Sequence, residues 1–165
     1  MKWQIEEFIQ KKCKNYCIVR TGWNVGWDLS SRCVITLTYQ TLMQPGAKMA
    51  TDNTFSISDV DDTAEGLLKI SKKRELTFCH LASAPKIYRH ELADKIIEYS
   101  MLGREMSYTN ALFKEIPYSE PRARLNHIDN SLAETSLSMD FADPEKIIKR
   151  KVAILDELPR VDTHA

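Results

Sequence analysis

The chain has 165 residues, 43% apolar and 28% charged, the length and mix of one globular domain with a real core. Lys plus Arg and Asp plus Glu number 23 each, so no net field draws it onto nucleic acid or an anionic membrane. Its apolar runs fall far short of the ~20 residues of a bilayer span, and MKWQIEEFIQKK carries acids without a long apolar stretch; neither membrane segment nor secretory signal is expected, and the expected location is cytoplasmic.

Met1, Ile5, Phe8 and Ile9 recur at helical spacing and predict a first amphipathic helix closing in the basic run KKCK. The period then becomes two. Cys33, Ile35, Leu37 and Tyr39 alternate with Val34, Thr36 and Thr38, a half-buried strand pattern, with YCIVR as its hairpin partner across a loop holding Gly22 and Gly26. QPGAKMATDN reads as a loop. Phe55 and Ile57 predict a third strand, and Leu76, Phe78 and His80 a fourth. Between them DVDDTAEGLLKISKKR predicts a helix with an apolar stripe of Val60, Ala64, Leu67 and Leu68. Ser58 with Asp61 resembles its capping box, and SKKR places cations at its C-terminal end.

After Pro85 the pattern is helical, with Leu92, Ala93, Ile96 and Ile97 on one face up to Gly103. A further helix is predicted over residues 108–115, stopping before Pro117. PYSEPRARLNHIDNS reads as a surface connection, within which ARLNHIDNSLAE can form a short helix. DPEKIIKRKVAILDELP has Asp143 as cap, Pro144 in the first turn and Pro159 as stop. The predicted class is α+β: a single domain over 1–165, a sheet of three to five strands from residues 16–82, and a helix-rich second half.

The order strand, D-x-D-x-T, helix in ISDVDDT resembles the first motif of the haloacid dehalogenase-like phosphatases. That resemblance implies Asp59 as nucleophile, Asp61 as general acid and base, and magnesium held by both. FCHLASAPKIY resembles the second motif, with Ser83 on phosphate, and PEKIIKRKV the third, with Lys149 neutralising the phosphoryl group. The alternative for Asp59, Asp61 and Asp62 is the acidic first turn of a helix, favoured by its dipole. We take the helix start as the reading of this motif.

Cys13, Cys17, Cys33 and Cys79 read as reduced thiols. A zinc alternative would use Cys13 and Cys17, four residues apart on one helix face, with His80 or His90. Basic clusters at 11–14, 69–74 and 146–151 leave nucleic-acid binding open. Trp23 and Trp27 sit in a glycine-containing loop as candidates for partner binding. On the last helix Ile147, Ile154 and Leu158 form one strip and Ile148, Val152 and Leu155 the next, wider than one core-facing side requires. With no fourth acidic motif to complete a catalytic set, the expected function is a non-catalytic interaction or assembly protein with a protein partner and no cofactor. The alternatives are the magnesium phosphatase and a nucleic-acid-binding protein.

Overall fold

The structure, a computed structural model, describes residues 2–28, 33–118 and 121–157. Helix α1 (Lys2–Lys12) leads into β1 (Ile18–Thr21) and, after Gly22, β2 (Trp23–Val25). Then come α2 (Val34–Leu42), β3 (Lys48–Ala50), β4 (Thr54–Phe55), β5 (Ile57–Asp59) and α3 (Val60–Ile70). The second half holds β6 (Phe78–Leu81), β7 (Ile87–Tyr88), α4 (Arg89–Tyr99), β8 (Thr109–Ala111), β9 (Leu125–Asn126), α5 (Ser131–Leu137) and α6 (Pro144–Asp156). Two 3-10 turns, Gly103–Glu105 and Phe113–Glu115, flank β8.

The class is mixed α/β. In place of the expected single sheet there are four small ones among the described residues, mostly of parallel strands. β1 pairs with β6, β2 with β5 and β3 with β8, all parallel; β4 lies between antiparallel β7 and parallel β9. Parallel pairs need crossovers, which explains why helices are spread along the chain rather than gathered in its second half.

Gly22 is the point where one extended run changes partner, from β6 to β5. Its N–H donates to Ser58 Oγ at 2.8 Å, and a Cβ there would lie 2.5 Å from the Ser56 carbonyl oxygen. Only glycine allows that approach. YCIVR is therefore a strand, as expected, but its partner is β6 and not the 33–39 segment.

That segment is helix α2, contrary to the predicted strand. Val34, Ile35, Thr38, Tyr39 and Leu42 are buried and span one helical face, while Leu37 is left outside. Thr38 satisfies its buried hydroxyl by donating to Val34 O at 2.7 Å. Over so short a segment the two periodicities overlap, and packing against α4 and α6 selects the helix.

The predicted helix at 108–115 is also corrected, to β8 and the following 3-10 turn. At α3 the cap is Asp59, whose carboxylate accepts from Asp61 N–H at 2.9 Å. Ser58, one residue too early, instead donates to Leu81 O, tying β5 to β6. The stripe Val60, Ala64, Leu67 and Leu68 faces outward; the buried positions of α3 are Gly66 and Ile70.

The main core joins α2, α4 and α6 to β2, β3, β4 and β5, and a smaller one lies between α3, β6 and α5. α6 begins as predicted, with Asp143 accepting from Glu145 N–H at 2.7 Å and Pro144 as its first residue; Pro159 lies outside the described residues. Ile147, Ile148, Val152 and Leu155 are all buried within the chain, so the breadth of its apolar arc is met by α2 and α4. Cys13 lies beyond the end of α1, so it shares no helix face with Cys17. All four cysteines are free, and no cluster of His, Cys, Asp and Glu fit for a metal occurs among the described residues.

Candidate functional site

The Asp59 carboxylate is buried at the β5–α3 junction and lies 2.7 Å from Arg150 Nη2 on α6, a close ion contact off the hydrogen-bond direction. The same guanidinium stacks 4.1 Å above the Trp27 ring, whose Nε1–H donates to Asp61 Oδ2 at 3.1 Å. Next to it Lys151, fully buried, reaches the carbonyls of Gly26 and Asp28. These contacts clamp the segment after β2 to α6.

The candidates from sequence thus go to different places. Asp59 and Asp61 engage Arg150 and Trp27. Ser83 is buried, its N–H donating to Ile57 O. Lys149 is exposed and turned toward the Tyr99 ring, 5.7 Å away; the cation that meets Asp59 is its neighbour Arg150. Trp27 is exposed, Trp23 packs against the main core, Ile147 is buried and Ile154 half-buried. Leu158 lies outside the described residues.

A cleft of about 320 Å3 has a lining that includes neither Asp59 nor Arg150. Its walls are Trp23 from β2, Val34 from α2, Asn53 and Phe55 around β4, Arg89 at the start of α4, and Phe113, Tyr118, Arg122, Ala123 and Asn126 from the stretch leading into β9. The register of β4 against β7 and β9 sets Phe55 opposite Ile87 and Asn126. Asn53 Nδ2 donates to Arg124 O at 2.6 Å and fixes the same edge.

Arg89 dominates the cleft electrostatically. It is half-buried as the first residue of α4, where the helix dipole opposes a cation. Its Nη1 donates to Thr38 Oγ1 at 2.9 Å and its guanidinium lies 5.9 Å from the Phe55 ring centre. Among the described residues no carboxylate pairs with it. Burial pushes its pKa below the usual guanidinium value, with Tyr118 opposing and Arg122 adding to the shift. Arg122 stacks over Tyr118 at 5.3 Å, and the Tyr118 and Phe113 rings are 4.9 Å apart. Two cations, a helix N-terminus and aromatic faces form a site for an anion joined to a flat or ring-shaped group.

Nothing in the sequence reading singled out Arg89, Phe113, Tyr118, Arg122 or Asn126. The one available signal was an arginine opening a helix, against the usual preference for acids there.

A family model described as the RmlD substrate binding domain matches residues 1–155. A comparison with curated proteins finds no match. Among solved structures, dTDP-4-dehydrorhamnose reductase from Clostridium acetobutylicum is 19% identical with a TM-score of 0.76; the match covers 93% of this chain and 54% of that one. dTDP-glucose 4,6-dehydratase from Bacillus anthracis, in complex with NAD, is 12% identical with a TM-score of 0.70, covering 94% and 49%. UDP-glucuronic acid 4-epimerase from Bacillus cereus, in complex with UDP-glucuronic acid and NAD, is 14% identical with a TM-score of 0.69, covering 95% and 50%. The chain therefore spans about half the length of these structures.

The family match overturns the resemblance to haloacid dehalogenase-like phosphatases, the one ground on which Asp59 and Asp61 were given nucleophile, general-acid and magnesium roles and Ser83 and Lys149 phosphate roles. It equally replaces the non-catalytic assembly protein and the nucleic-acid-binding protein expected from sequence. An Asp cap followed by an acidic first turn produces the D-x-D-x-T string, so the helix start taken from sequence is what the structure contains. Among the described residues no helix is long and apolar enough to cross a membrane.

Proposed function

The chain belongs to the RmlD substrate binding domain family, and from that premise we propose that it is the substrate-binding half of an NAD(P)-dependent enzyme acting on nucleotide-activated sugars. The observation that carries the reading is Arg89, a desolvated cation at a helix N-terminus with no carboxylate partner among the described residues. A sugar nucleotide supplies the missing anion as its diphosphate. Arg89 and Arg122 flank that group, the Phe113 and Tyr118 rings offer stacking faces to the base, and Trp23 and Phe55 wall the remaining space. The family description and the names of the solved structures support the substrate class. The complexes of two of those structures with NAD support the cofactor. A cytoplasmic location fits a substrate of this charge.

Thermal melts and calorimetry with dTDP, UDP, dTDP-glucose and inorganic pyrophosphate test the proposal. Either nucleoside diphosphate should raise the melting temperature, more than pyrophosphate does, and Arg89→Met should remove the rise. Absence of any nucleotide-dependent shift in the wild type would sink it.

A further inference from the structure

A single turn holds three separate parts of the Arg89 cleft. Thr51, Asp52 and Asn53 lie between β3 and β4 and meet segments that are distant in sequence. Thr51 N–H donates to Ala111 O at 3.0 Å, and Asp52 Oδ1 accepts from Phe113 N–H at 2.7 Å, which fixes the chain as it leaves β8. Arg124, just before β9, is held three times. Its carbonyl accepts from Asn53 Nδ2 at 2.6 Å and from Thr54 N–H at 3.1 Å, and its Nη1 donates to the Asp52 backbone carbonyl at 3.3 Å. Arg89 N–H, an amide that the first turn of a helix leaves without an internal partner, donates to Asn53 O at 3.0 Å.

Asp52 is the member of that turn whose side chain joins the two ends. One carboxylate oxygen goes to Phe113 and the other lies 3.7 Å from Arg124 Nη1. Between Phe113 and Arg124 runs the stretch that gives the cleft its ring pair, Phe113 and Tyr118, and its second cation, Arg122. Among its described residues the stretch has one regular element, the 3-10 turn Phe113–Glu115. With so little internal pairing it owes its position to the contacts at its ends. Asp52 does not line the cleft, so the placing of that wall opposite Arg89 is set from outside it. The acceptor is a carboxylate, which makes the bond to Phe113 charge-assisted and stronger than a neutral one.

We propose that Asp52 is a positioning residue for the ligand of the cleft: by holding Phe113 beside the anchored Arg124 it turns the stretch between them into a fixed wall, and so sets the ring pair and Arg122 against Arg89. The proposal rests on the reading of the cleft as a nucleoside diphosphate site. The hydrogen bond to Phe113 carries the effect rather than the charge, because the contact with Arg124 is long and partly exposed on both sides.

Asp52→Ala and Asp52→Asn test it, each by calorimetry with UDP and with inorganic pyrophosphate and by amide exchange. Asp52→Ala should weaken UDP binding by about tenfold or more, and pyrophosphate binding by less, since Arg89 keeps its own bonds to Asn53 and Thr38. Exchange should quicken about tenfold at Glu115 and Thr54, whose amides donate to Leu112 O and Arg124 O and not to Asp52, while the amides of α6 keep their rates. Asparagine retains an acceptor for Phe113 N–H, so Asp52→Asn should stay within about threefold of wild type in every readout. Wild-type UDP affinity in Asp52→Ala, or unchanged exchange at Glu115 and Thr54, would overturn the proposal. An Asp52→Asn variant as impaired as Asp52→Ala would also overturn it by assigning the effect to charge, and equal quickening across α6 would do so by making Asp52 a residue of global stability. A wild type that binds no UDP refutes the nucleotide reading alone, and the exchange rates then decide whether Asp52 holds the wall.

Discussion

Arg150 of α6 stands 2.7 Å from Asp59 at the start of α3, and both side chains are largely withdrawn from water. Removing one partner of such a pair leaves the other charge buried and uncompensated. Arg150→Met should therefore cost about 3–5 kcal/mol, measured by urea unfolding. Asp59→Asn separates the two roles of the aspartate, because asparagine caps a helix about as well but brings no charge to the ion pair with Arg150. It should destabilise less than Asp59→Ala, which loses both. Arg150→Met within about 0.5 kcal/mol of wild type would show that the contact contributes little.

Arg89 should show the opposite balance. Its partners in the free protein are the Thr38 hydroxyl and the Phe55 ring, against burial and an adverse dipole. Arg89→Met should leave the melting temperature unchanged or raise it, while weakening nucleoside diphosphate binding by roughly 10- to 100-fold, the worth of one or two charged hydrogen bonds. A large loss of stability with unchanged binding would make the residue structural.

The carboxyl of Asp62 is pushed above its ordinary value of 3.8, chiefly by burial, against the hydrogen bond it accepts from Ala142 N–H at 2.8 Å. A raised folded-state pKa means that the native state holds the proton more tightly than the unfolded one. The associated stability is complete below 3.8 and lost as pH rises through the folded value. Asp62→Asn keeps an acceptor for Ala142 and carries no charge, so it should raise the melting temperature at pH 7 and have less effect at pH 3. Equal effects at both pH values would remove the electrostatic explanation.

Gly22→Ala drives a methyl into the Ser56 carbonyl at the point where β1 passes into β2. Backbone on both sides must move, so a cost of about 2–3 kcal/mol is expected, together with a changed Trp23 environment. Circular dichroism in the near ultraviolet and a denaturation curve would report both. An unperturbed variant would mean that the strand switch has slack.

The sequence made some elements plain and hid others for physical reasons. α6 was legible because a cap, a first-turn proline and a long apolar arc agree. α3 was legible as a helix, but its inward face was not: a glycine gives close packing without an apolar side chain, so periodicity reports only the outer stripe. α2 carries Val34, Ile35, Thr36 and Thr38, residues favouring strands, and only burial against α4 and α6 makes it helical. The cleft was illegible because its walls come from separate segments with no shared motif. Arg89, Arg122 and Trp23 become neighbours only once β4 lies between β7 and β9.

Lys151 is a lysine without a wet side, enclosed beneath the segment that follows β2 while Lys146 and Lys149 on the same helix stand in solvent. An acylating reagent should modify those two amines at once and spare Lys151 for as long as α6 stays seated. Its labelling, followed by peptide mass, is then a one-residue clock: the interval before Lys151 reacts times the first departure of the helix from the body of the protein.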